Sequence, residues 1–141
     1  MNNYNPGVVC LQEIKLGETL YNPGLNYEFY KMSPTGGDRA HGGAAIIINK
    51  AIQHSYVPLN TNLQAVAICA CLDREITICL LYLPPRSGVA LNDIQALFNQ
   101  LPSPVLLLGD FNSHNPLWGD RNLDFEGRIV DDFIHRNNLY I

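Results

Sequence analysis

Charged side chains are scarce in this chain of 141 residues, and positively charged ones are the scarcest. Asp, Glu, Lys and Arg make up 16% of the sequence, with 9 Lys and Arg against 13 Asp and Glu and a net charge of -4. A protein that holds nucleic acid through its phosphates alone is normally basic, which argues against that class. A site built around a bound cation stays open, because the ion itself supplies a local positive field.

Long hydrophobic runs are also missing, although 47% of the residues are hydrophobic. The longest apolar stretches fall far short of a membrane span, so we expect no membrane partner. Residues 1–7 are polar and show no signal peptide. High apolar content with low charge argues against disorder and predicts one compact intracellular domain over residues 1–141.

Cysteine is limited to four residues, all inside strand-like runs: Cys10, Cys69, Cys71 and Cys79. Cys69 and Cys71 would share one face of a strand, but no second pair completes a zinc site. We interpret all four as buried free thiols in a reducing compartment.

Apolar alternation and turn signals predict most of the secondary structure. Strands are expected at residues 8–13, 27–31, 44–48, 63–72, 75–83 and 105–108, with the opening of a further strand at 139–141. Glycine-rich connections and turn signals predict loops at 17–25 and 33–43. Helical spacing predicts helices at 92–101, capped by Asn92 with Gln95, and at 125–137, capped by Asp124.

The two central runs, 63–72 and 75–83, flank a two-residue link and are expected to form a hairpin. Both faces of each run are apolar, which is typical of strands covered on both sides. The whole pattern predicts an α/β (α+β) fold in which sheets pack together and helices lie outside.

The clearest functional signal lies in residues 105–119. A short apolar strand ends at Gly109 and delivers Asp110, Asn112 and His114 at its carboxyl end, where α/β sheets usually build ligand sites. In an extended backbone Asp110 and Asn112 project to the same side. Such groups can orient water, bind a phosphate and move a proton. The same residue types are also ordinary turn residues, so this motif alone leaves the function open.

A second motif, Leu11-Gln12-Glu13, ends the first strand with an acid. Together with Gly109-Asp110-Phe111-Asn112 it resembles the endonuclease/exonuclease/phosphatase superfamily. The continuation through residues 113–119, Ser-His-Asn-Pro-Leu-Trp-Gly, is more narrowly similar to the endonuclease domain of non-LTR retrotransposon polyproteins, the jockey-like group among them. Each motif is weak alone, but both in this order make the resemblance specific.

The resemblance implies a fold, an activity and partners. The fold would be a four-layer α/β/β/α sandwich of two mixed sheets. The activity would be Mg²⁺-dependent hydrolysis of DNA phosphodiester bonds, with Mn²⁺ as a substitute ion, leaving a 3′-hydroxyl that primes reverse transcription. The implied partners are DNA and a reverse transcriptase domain in a parent polyprotein that acts in the nucleus.

The resemblance also implies catalytic roles for four residues. Glu13 would bind Mg²⁺, an ion that prefers hard oxygen donors. Asp110 would align the attacking water, and Asn112 would donate a hydrogen bond to the scissile phosphate. Tyr82, at the end of a core strand, would direct its hydroxyl at the phosphate, although an aromatic ring packed at the sheet rim is an equally good interpretation.

Three further residues are expected to contact substrate: His114, Asn115 and Arg86. His114 matches a histidine common in retrotransposon endonucleases and would touch the substrate or support a residue that does. Trp118 is better interpreted as a packing anchor for its loop.

The resemblance covers only the middle of the family domain. The family has a strand and helix before Leu11-Gln12-Glu13, and a later Ser-Asp-His string that completes its catalytic residues. Nothing in residues 1–141 matches these elements. We therefore expect a partial, incomplete domain that is weakly active or inactive, since losing one charge-stabilising group commonly costs about a hundredfold in rate.

Three alternatives stay open. The chain could be another phosphodiesterase or phosphatase of the superfamily, acting on phosphoinositides or sphingomyelin, but the continuation at residues 113–119 favours the retroelement branch. It could be a non-catalytic remnant that binds nucleic acid or a protein partner, although its acidic charge argues against strong non-specific DNA binding. It could also be a truncated product without function.

Overall fold

The computed structural model describes residues 5–14, 24–32 and 42–141. In these ranges the chain forms strands, two α-helices and a short 3₁₀ turn at Pro116–Trp118. The elements are, in chain order, β1 (Val8–Gln12), β2 (Tyr27–Met32), β3 (Ala44–Asn49), β4 (His54–Val57), β5 (Gln64–Cys71), β6 (Glu75–Tyr82), α1 (Leu91–Phe98), β7 (Val105–Asp110) and α2 (Phe125–Arg136).

The strands form two sheets that pack face to face. One is antiparallel with the order β1-β3-β2, and the other has the order β4-β5-β6-β7, in which only the β6–β7 pair is parallel. Alternate side chains of β3 meet alternate side chains of β5 and β6, because successive residues of a strand point to opposite faces. The buried layer between the sheets contains Ala44, Ile46, Ile48, Val66, Ile68, Ala70, Ile78 and Leu80.

Both described α-helices cover the other face of the four-stranded sheet. Ile94 and Leu97 of α1 and Phe133 of α2 are almost fully buried there against β5 and β6. Phe98 packs edge to face on Phe133, with ring centroids 5.3 Å apart. β5 and β6 are therefore covered on both sides, as their two apolar faces predict.

The predicted α+β fold is confirmed, and so is the β5–β6 hairpin. The described residues supply three of the four expected layers: two sheets and one layer of helices. The sheet that contains β6 and β7 is mixed, whereas the described strands of the other sheet are all antiparallel. Across the described ranges, no helix is long and apolar enough to cross a membrane.

The ends of the helices match the predictions in one case and not in the other. Asp124 caps α2 as expected, because its Oδ1 accepts a hydrogen bond from Gly127 N at 2.6 Å. The predicted cap of α1 is wrong. This helix begins one residue earlier, and its first-turn carboxylate, Asp93, accepts a hydrogen bond from Ala90 N at 3.1 Å, so Asn92 lies inside the helix.

Two local features differ from the predictions. Residues 54–57, for which the sequence predicts no strand, form β4, and His54 has partners there: its Nδ1 lies 2.6 Å from Ile52 O and its Nε2 lies 3.1 Å from Glu28 Oε2. Residues 139–141, expected to open a strand, have no strand structure. The loop predictions for residues 17–23 and 33–41 fall outside the described residues.

The four cysteines are free thiols, as expected, but they are not all buried. Cys79 lies in the core, and burial raises its pKa to about 12, which makes it an inert packing residue. Cys71, in contrast, is exposed.

A glycine at the end of β7 brings the two parallel strands close together. Gly109 lies opposite Leu81 of β6, and a Cβ built on it would overlap the Leu81 carbonyl oxygen. Only a residue without a side chain permits this approach. As a result the next pair in the register, Tyr82 and Asp110, lies side by side at the carboxyl edge of the sheet.

Candidate functional site

The ends of β6 and β7 form the base of the candidate site. Because the two strands are parallel, Tyr82 and Asp110 are both the last residues of their strands and are paired across the sheet. One further backbone hydrogen bond, from Leu83 N to Asp110 O at 2.9 Å, extends the pairing past the strand ends. The positions of these two side chains are therefore fixed by the sheet and not by a loop.

Glu13 reaches the same place from the other sheet. It follows β1 directly, and its φ of 52° turns the backbone out of the extended conformation. The Tyr82 hydroxyl donates a hydrogen bond to Glu13 Oε1 at 3.0 Å. Two residues separated by 69 positions in the chain thus join the two sheets at their rim.

Tyr82 is 5% exposed and lies between two carboxylates. Burial raises the pKa of its phenol, and the hydrogen bond to Glu13, the charge of Glu13 and the charge of Asp110 raise it further. The hydroxyl is therefore a neutral donor at physiological pH. It can donate to a carboxylate or to a phosphate oxygen that takes the place of the carboxylate.

Asp110 and Asn112 are held by bonds to the backbone around them. Asn112 N donates to Asp110 Oδ1 at 2.9 Å, and Asn112 Nδ2 donates to Leu83 O at 3.0 Å. Asn112 has a left-handed backbone with a φ of 43°, a conformation that Asn tolerates better than most residues. An amide carries two N–H donors, so Asn112 can hold its orientation with one and donate to a phosphate with the other.

His114 lies beyond Asn112 between two carboxylates. Its Nδ1 is 2.5 Å from Asp120 Oδ2 and its Nε2 is 4.0 Å from Asp124 Oδ2. The hydrogen bond to Asp120 is the main cause that raises the pKa of His114, and the charges of Asp120 and Asp124 add to it. The arrangement favours the imidazolium form of an exposed ring.

The pKa values of the two carboxylates shift in the opposite direction to that of His114, downward. The hydrogen bond from His114 is the main cause that lowers the pKa of Asp120. Burial raises the pKa of Asp124, but backbone hydrogen bonds from His114 and Gly127 outweigh it, and the net pKa is lowered. Asp120 carries no signal in the sequence, because a loop residue six positions from its partner follows no periodic pattern.

Asn115 lies inside the loop and not on its surface. It is 4% exposed, its Oδ1 accepts from Leu117 N at 3.0 Å, and its Nδ2 donates to Gly127 O at 3.4 Å. This placement corrects the expectation that Asn115 contacts substrate directly, because its amide is buried and used to shape the loop. Trp118 is half-buried and donates from Nε1 to Ser113 O at 3.0 Å, as a packing anchor would.

Arg86 is exposed and follows the end of β6 in a loop, with a left-handed φ of 55°. Because Arg86 follows Tyr82 closely in the chain, it lies near the same edge of the sheet. Among the residues that the structure describes, none forms an ion pair with Arg86. The structure therefore does not join Arg86 to the other predicted site residues.

A cleft of about 730 Å³ runs from this site along β7. Its polar end contains Asp110, Asn112, His114 and Asp120. Its other end is apolar and lies between β7, α2 and the last residues of the chain; it is lined by Leu106, Val130, Phe133, Ile134, Tyr140 and Ile141. Four predicted residues, Glu13, Tyr82, Asp110 and Asn112, thus come together, and His114 shares the cleft with the last two.

The donor set suits a metal ion that needs few protein ligands. Within the described ranges, no group of three or more His, Cys, Asp or Glu side chains could hold a metal ion, which does not fit a closed zinc site built from these residues. Mg²⁺ keeps several waters and is typically held by one or two carboxylates with phosphate oxygens. Glu13, anchored through one oxygen by Tyr82, fits that requirement.

Comparisons with known proteins agree with the motifs. The model of the endonuclease-reverse transcriptase family matches residues 76–141, which include all but the first residue of β6 and the whole of α1, β7 and α2. The match covers slightly less than half of the chain, and over those residues it shows a resemblance to this family. The family resemblance found in the sequence motifs is thereby confirmed.

Two curated relatives carry the same description, RNA-directed DNA polymerase from mobile element jockey. The one from Drosophila funebris is 25% identical over 144 residues, and the one from Drosophila melanogaster is 27% identical over 124 residues. The alignments cover 100% and 86% of this chain but only 15% and 13% of the relatives. The chain therefore corresponds to a small part of these polymerases.

A solved structure shares the fold. It is the endonuclease domain of TRAS1, a telomere-specific non-LTR retrotransposon, with a TM-score of 0.59 and 22% identity. The match covers 77% of this chain and 52% of that domain. At this level of identity the likeness shows the fold, which agrees with the two facing sheets described above.

Proposed function

We propose that this site hydrolyses phosphodiester bonds of DNA with Mg²⁺ held at Glu13. The observation that carries the proposal is the Tyr82 contact. One side chain donates to the acid at the end of β1 and pairs through its backbone with the acid at the end of β7. Two carboxylates from separate sheets thus lie near one hydroxyl, and we expect a phosphate and a cation to bind there together.

Each residue has a role that its contacts permit. Asp110 orients a water molecule and accepts its proton as the water oxygen attacks phosphorus. Asn112, fixed by its bond to Leu83 O, donates its second N–H to a phosphate oxygen. Glu13 would hold the Mg²⁺ ion, which would supply positive charge to neutralise the phosphate. The P–O3′ bond breaks, the 3′-oxygen gains a proton, and a nick with a free 3′-hydroxyl results.

We also propose a setting for this activity. The relatives are described as RNA-directed DNA polymerases, so the parent of this domain would join the nuclease to a reverse transcriptase that extends the nicked 3′-end. Alone, the 141-residue chain would be only weakly active, since it spans about half of the TRAS1 endonuclease domain and a catalytic group lost with the remainder commonly costs about a hundredfold.

Nicking of supercoiled plasmid DNA tests the activity. The purified chain should convert supercoiled DNA to the open circle slowly with Mg²⁺ and not with EDTA. Asp110→Ala should reduce the rate about a hundredfold, whereas Asp132→Ala, a loss of equal charge at an exposed position of α2, should leave it unchanged. Equal rates for the wild type and Asp110→Ala would contradict the proposal. Hydrolysis of sphingomyelin vesicles in place of DNA would favour the phospholipid alternative.

Calorimetric titration with Mg²⁺ tests the metal separately from catalysis. Binding should be present in the wild type and lost in Glu13→Ala, while Asp132→Ala should bind like the wild type. Mg²⁺ binding that persists in Glu13→Ala would show that the metal site does not lie at the end of β1. Absence of binding in a folded wild-type chain would leave the fold without the proposed metal chemistry.

A further inference from the structure

A glutamine outside the sequence motifs lies next to the site. Gln64 is the first residue of β5 and is paired with Tyr82 of β6 in the antiparallel register. Directly opposed residues of a sheet project to the same face. The face that Tyr82 shares with Ile78 and Leu80 is the one turned toward the three-stranded sheet, so Gln64 lies at the rim between the two sheets.

The side chain of Gln64 holds the backbone that enters β3. Its Oε1 accepts a hydrogen bond from Gly43 N at 2.6 Å, in a partly buried position. The backbone at Gly42 and Gly43 is left-handed, with φ values of 90° and 107°, a conformation that glycine adopts without strain. Gln64 therefore fixes a segment that the glycines alone would leave free to move.

This glycine pair fills the space between the two halves of the site. A Cβ built on Gly42 would lie 2.8 Å from Tyr82 Cε1, and one built on Gly43 would lie 2.9 Å from the carbonyl oxygen of Ile14, the residue after Glu13. Tyr82 is thus in contact with the pair on one side, and the segment that carries Glu13 is in contact with it on the other. Gly42 and Gly43, which lead into β3, therefore lie between the Tyr82 ring and the backbone that follows Glu13.

We infer that Gln64 is a positioning residue, which locks Gly42–Gly43 as a spacer and so holds Tyr82 and Glu13 at hydrogen-bond distance. The effect of Gln64 on catalysis rests on the proposed function. Its effect on the positions of Tyr82 and Glu13 does not. Misplacing a reacting group by about 1 Å can cost about a hundredfold in rate, so a spacer held in place by one hydrogen bond matters to the chemistry.

The test compares two glutamines that make the same kind of bond. Gln64→Leu removes the acceptor for Gly43 N. Gln100→Leu is the matched control, because Gln100 Oε1 also accepts a hydrogen bond from a backbone N–H, that of Asn60 at 2.7 Å, while its Nε2 donates to Ala96 O of α1 at 2.9 Å. Gln64→Glu keeps an acceptor oxygen and should restore whatever Gln64→Leu loses. Urea unfolding of all three variants gives their stability.

Two readouts follow, one without any need for activity. In NMR spectra, cross-relaxation between the Tyr82 ring and Gly42 should vanish in Gln64→Leu and persist in Gln64→Glu and Gln100→Leu. In nicking assays kcat should fall about tenfold or more in Gln64→Leu, with KM unchanged, and Gln64→Glu should recover it.

The outcomes separate the two proposals. An unchanged Tyr82–Gly42 signal in Gln64→Leu overturns the positioning role whatever the rates are. Loss of that signal with an unchanged kcat also overturns it, since the spacer would then not matter to catalysis. If the wild type does not nick DNA at all, the proposed function fails, and the NMR result still decides whether Gln64 holds the spacer.

Discussion

At the scale of single residues, one hydroxyl connects the two sheets. Tyr82 brings together an acid that follows β1 and an acid that ends β7. The motifs Leu-Gln-Glu and Gly-Asp-Phe-Asn identify those acids in the sequence, but nothing in the sequence states that a tyrosine joins them, because the contact spans 69 positions. In the structure the ring of Tyr82 is buried and its hydroxyl reaches Glu13, so the ring packs at the rim in either interpretation, and the catalytic role of the hydroxyl stays a prediction.

Removing this hydroxyl should affect stability and catalysis together. Tyr82→Phe keeps the buried ring but loses a hydrogen bond to a carboxylate, so we expect the free energy of unfolding to fall by about 1–2 kcal/mol in urea titrations. Nicking should slow about tenfold or more. Tyr56→Phe is the control, since Tyr56 is 52% exposed and stacks on Tyr30. A similar loss in both variants would mean that the Glu13 contact contributes nothing.

The pair of His114 and Asp120 gives a pH dependence with a defined direction. A raised His pKa stabilises the fold below the unfolded value of 6.5, and this contribution is lost as pH rises through the folded pKa. A lowered Asp pKa stabilises the fold above the unfolded value of 3.8, and this contribution is lost as pH falls through the folded pKa. The loop should therefore be held best between about pH 4 and pH 6.5.

NMR titration of the His114 ring measures this directly. In Asp120→Asn the pKa of His114 should fall toward its ordinary value, because its main stabilising partner is gone. Asp132→Asn removes the same charge at an exposed site on α2 and should leave that pKa where it is. If Asp120→Asn leaves the His114 titration unchanged, the two side chains do not pair in solution.

At the scale of elements, the prediction succeeded where burial imposes a pattern. β5 and β6 carry apolar residues on both faces, and α1 and α2 repeat them at helical spacing, so their positions follow from the sequence. β4 was missed because it is short, its residues His54 and Ser55 are polar, and two of its four positions are exposed. Residues 139–141 carry an apolar signal, but Tyr140 is fully exposed, and pattern alone does not supply a pairing partner.

The close approach of β6 and β7 makes a strong prediction about Gly109. In Gly109→Ala the new methyl group would overlap the Leu81 carbonyl oxygen and lie 2.8 Å from its carbon. The backbone cannot yield without breaking the pairing that places Asp110 beside Tyr82. We expect a loss of about 3 kcal/mol or more in the free energy of unfolding.

Gly88→Ala provides the comparison for Gly109→Ala. Gly88 has a left-handed φ of 63°, but nothing lies within 4 Å of a Cβ built there. Its substitution should lower the free energy of unfolding only by the cost of a left-handed backbone in alanine, about 1 kcal/mol. Equal losses in the two variants, measured by urea unfolding, would show that the strands can separate without cost and that the glycine is not needed for the site.

At the scale of the whole molecule, the net negative charge has to be reconciled with a proposed site for DNA. A chain with a net charge of -4 repels a polyanion, and two of the carboxylates that contribute to this charge, Asp110 and Asp120, line the cleft. The proposed nuclease would therefore engage DNA only where a cation offsets the local field. The proposal thus makes the metal a condition for binding as well as for the chemical step, and this distinguishes it from a remnant that holds DNA through basic residues.

Fluorescence anisotropy with labelled duplex DNA tests this condition. At low salt, affinity should be measurable with Mg²⁺, should fall at least tenfold in EDTA, and should fall equally in Glu13→Ala with Mg²⁺ present. Asp132→Ala should bind like the wild type, since it removes the same charge away from the rim. If neither EDTA nor Glu13→Ala changes the affinity, the DNA binds to another surface. The exposed Arg86 would then be the residue to substitute next.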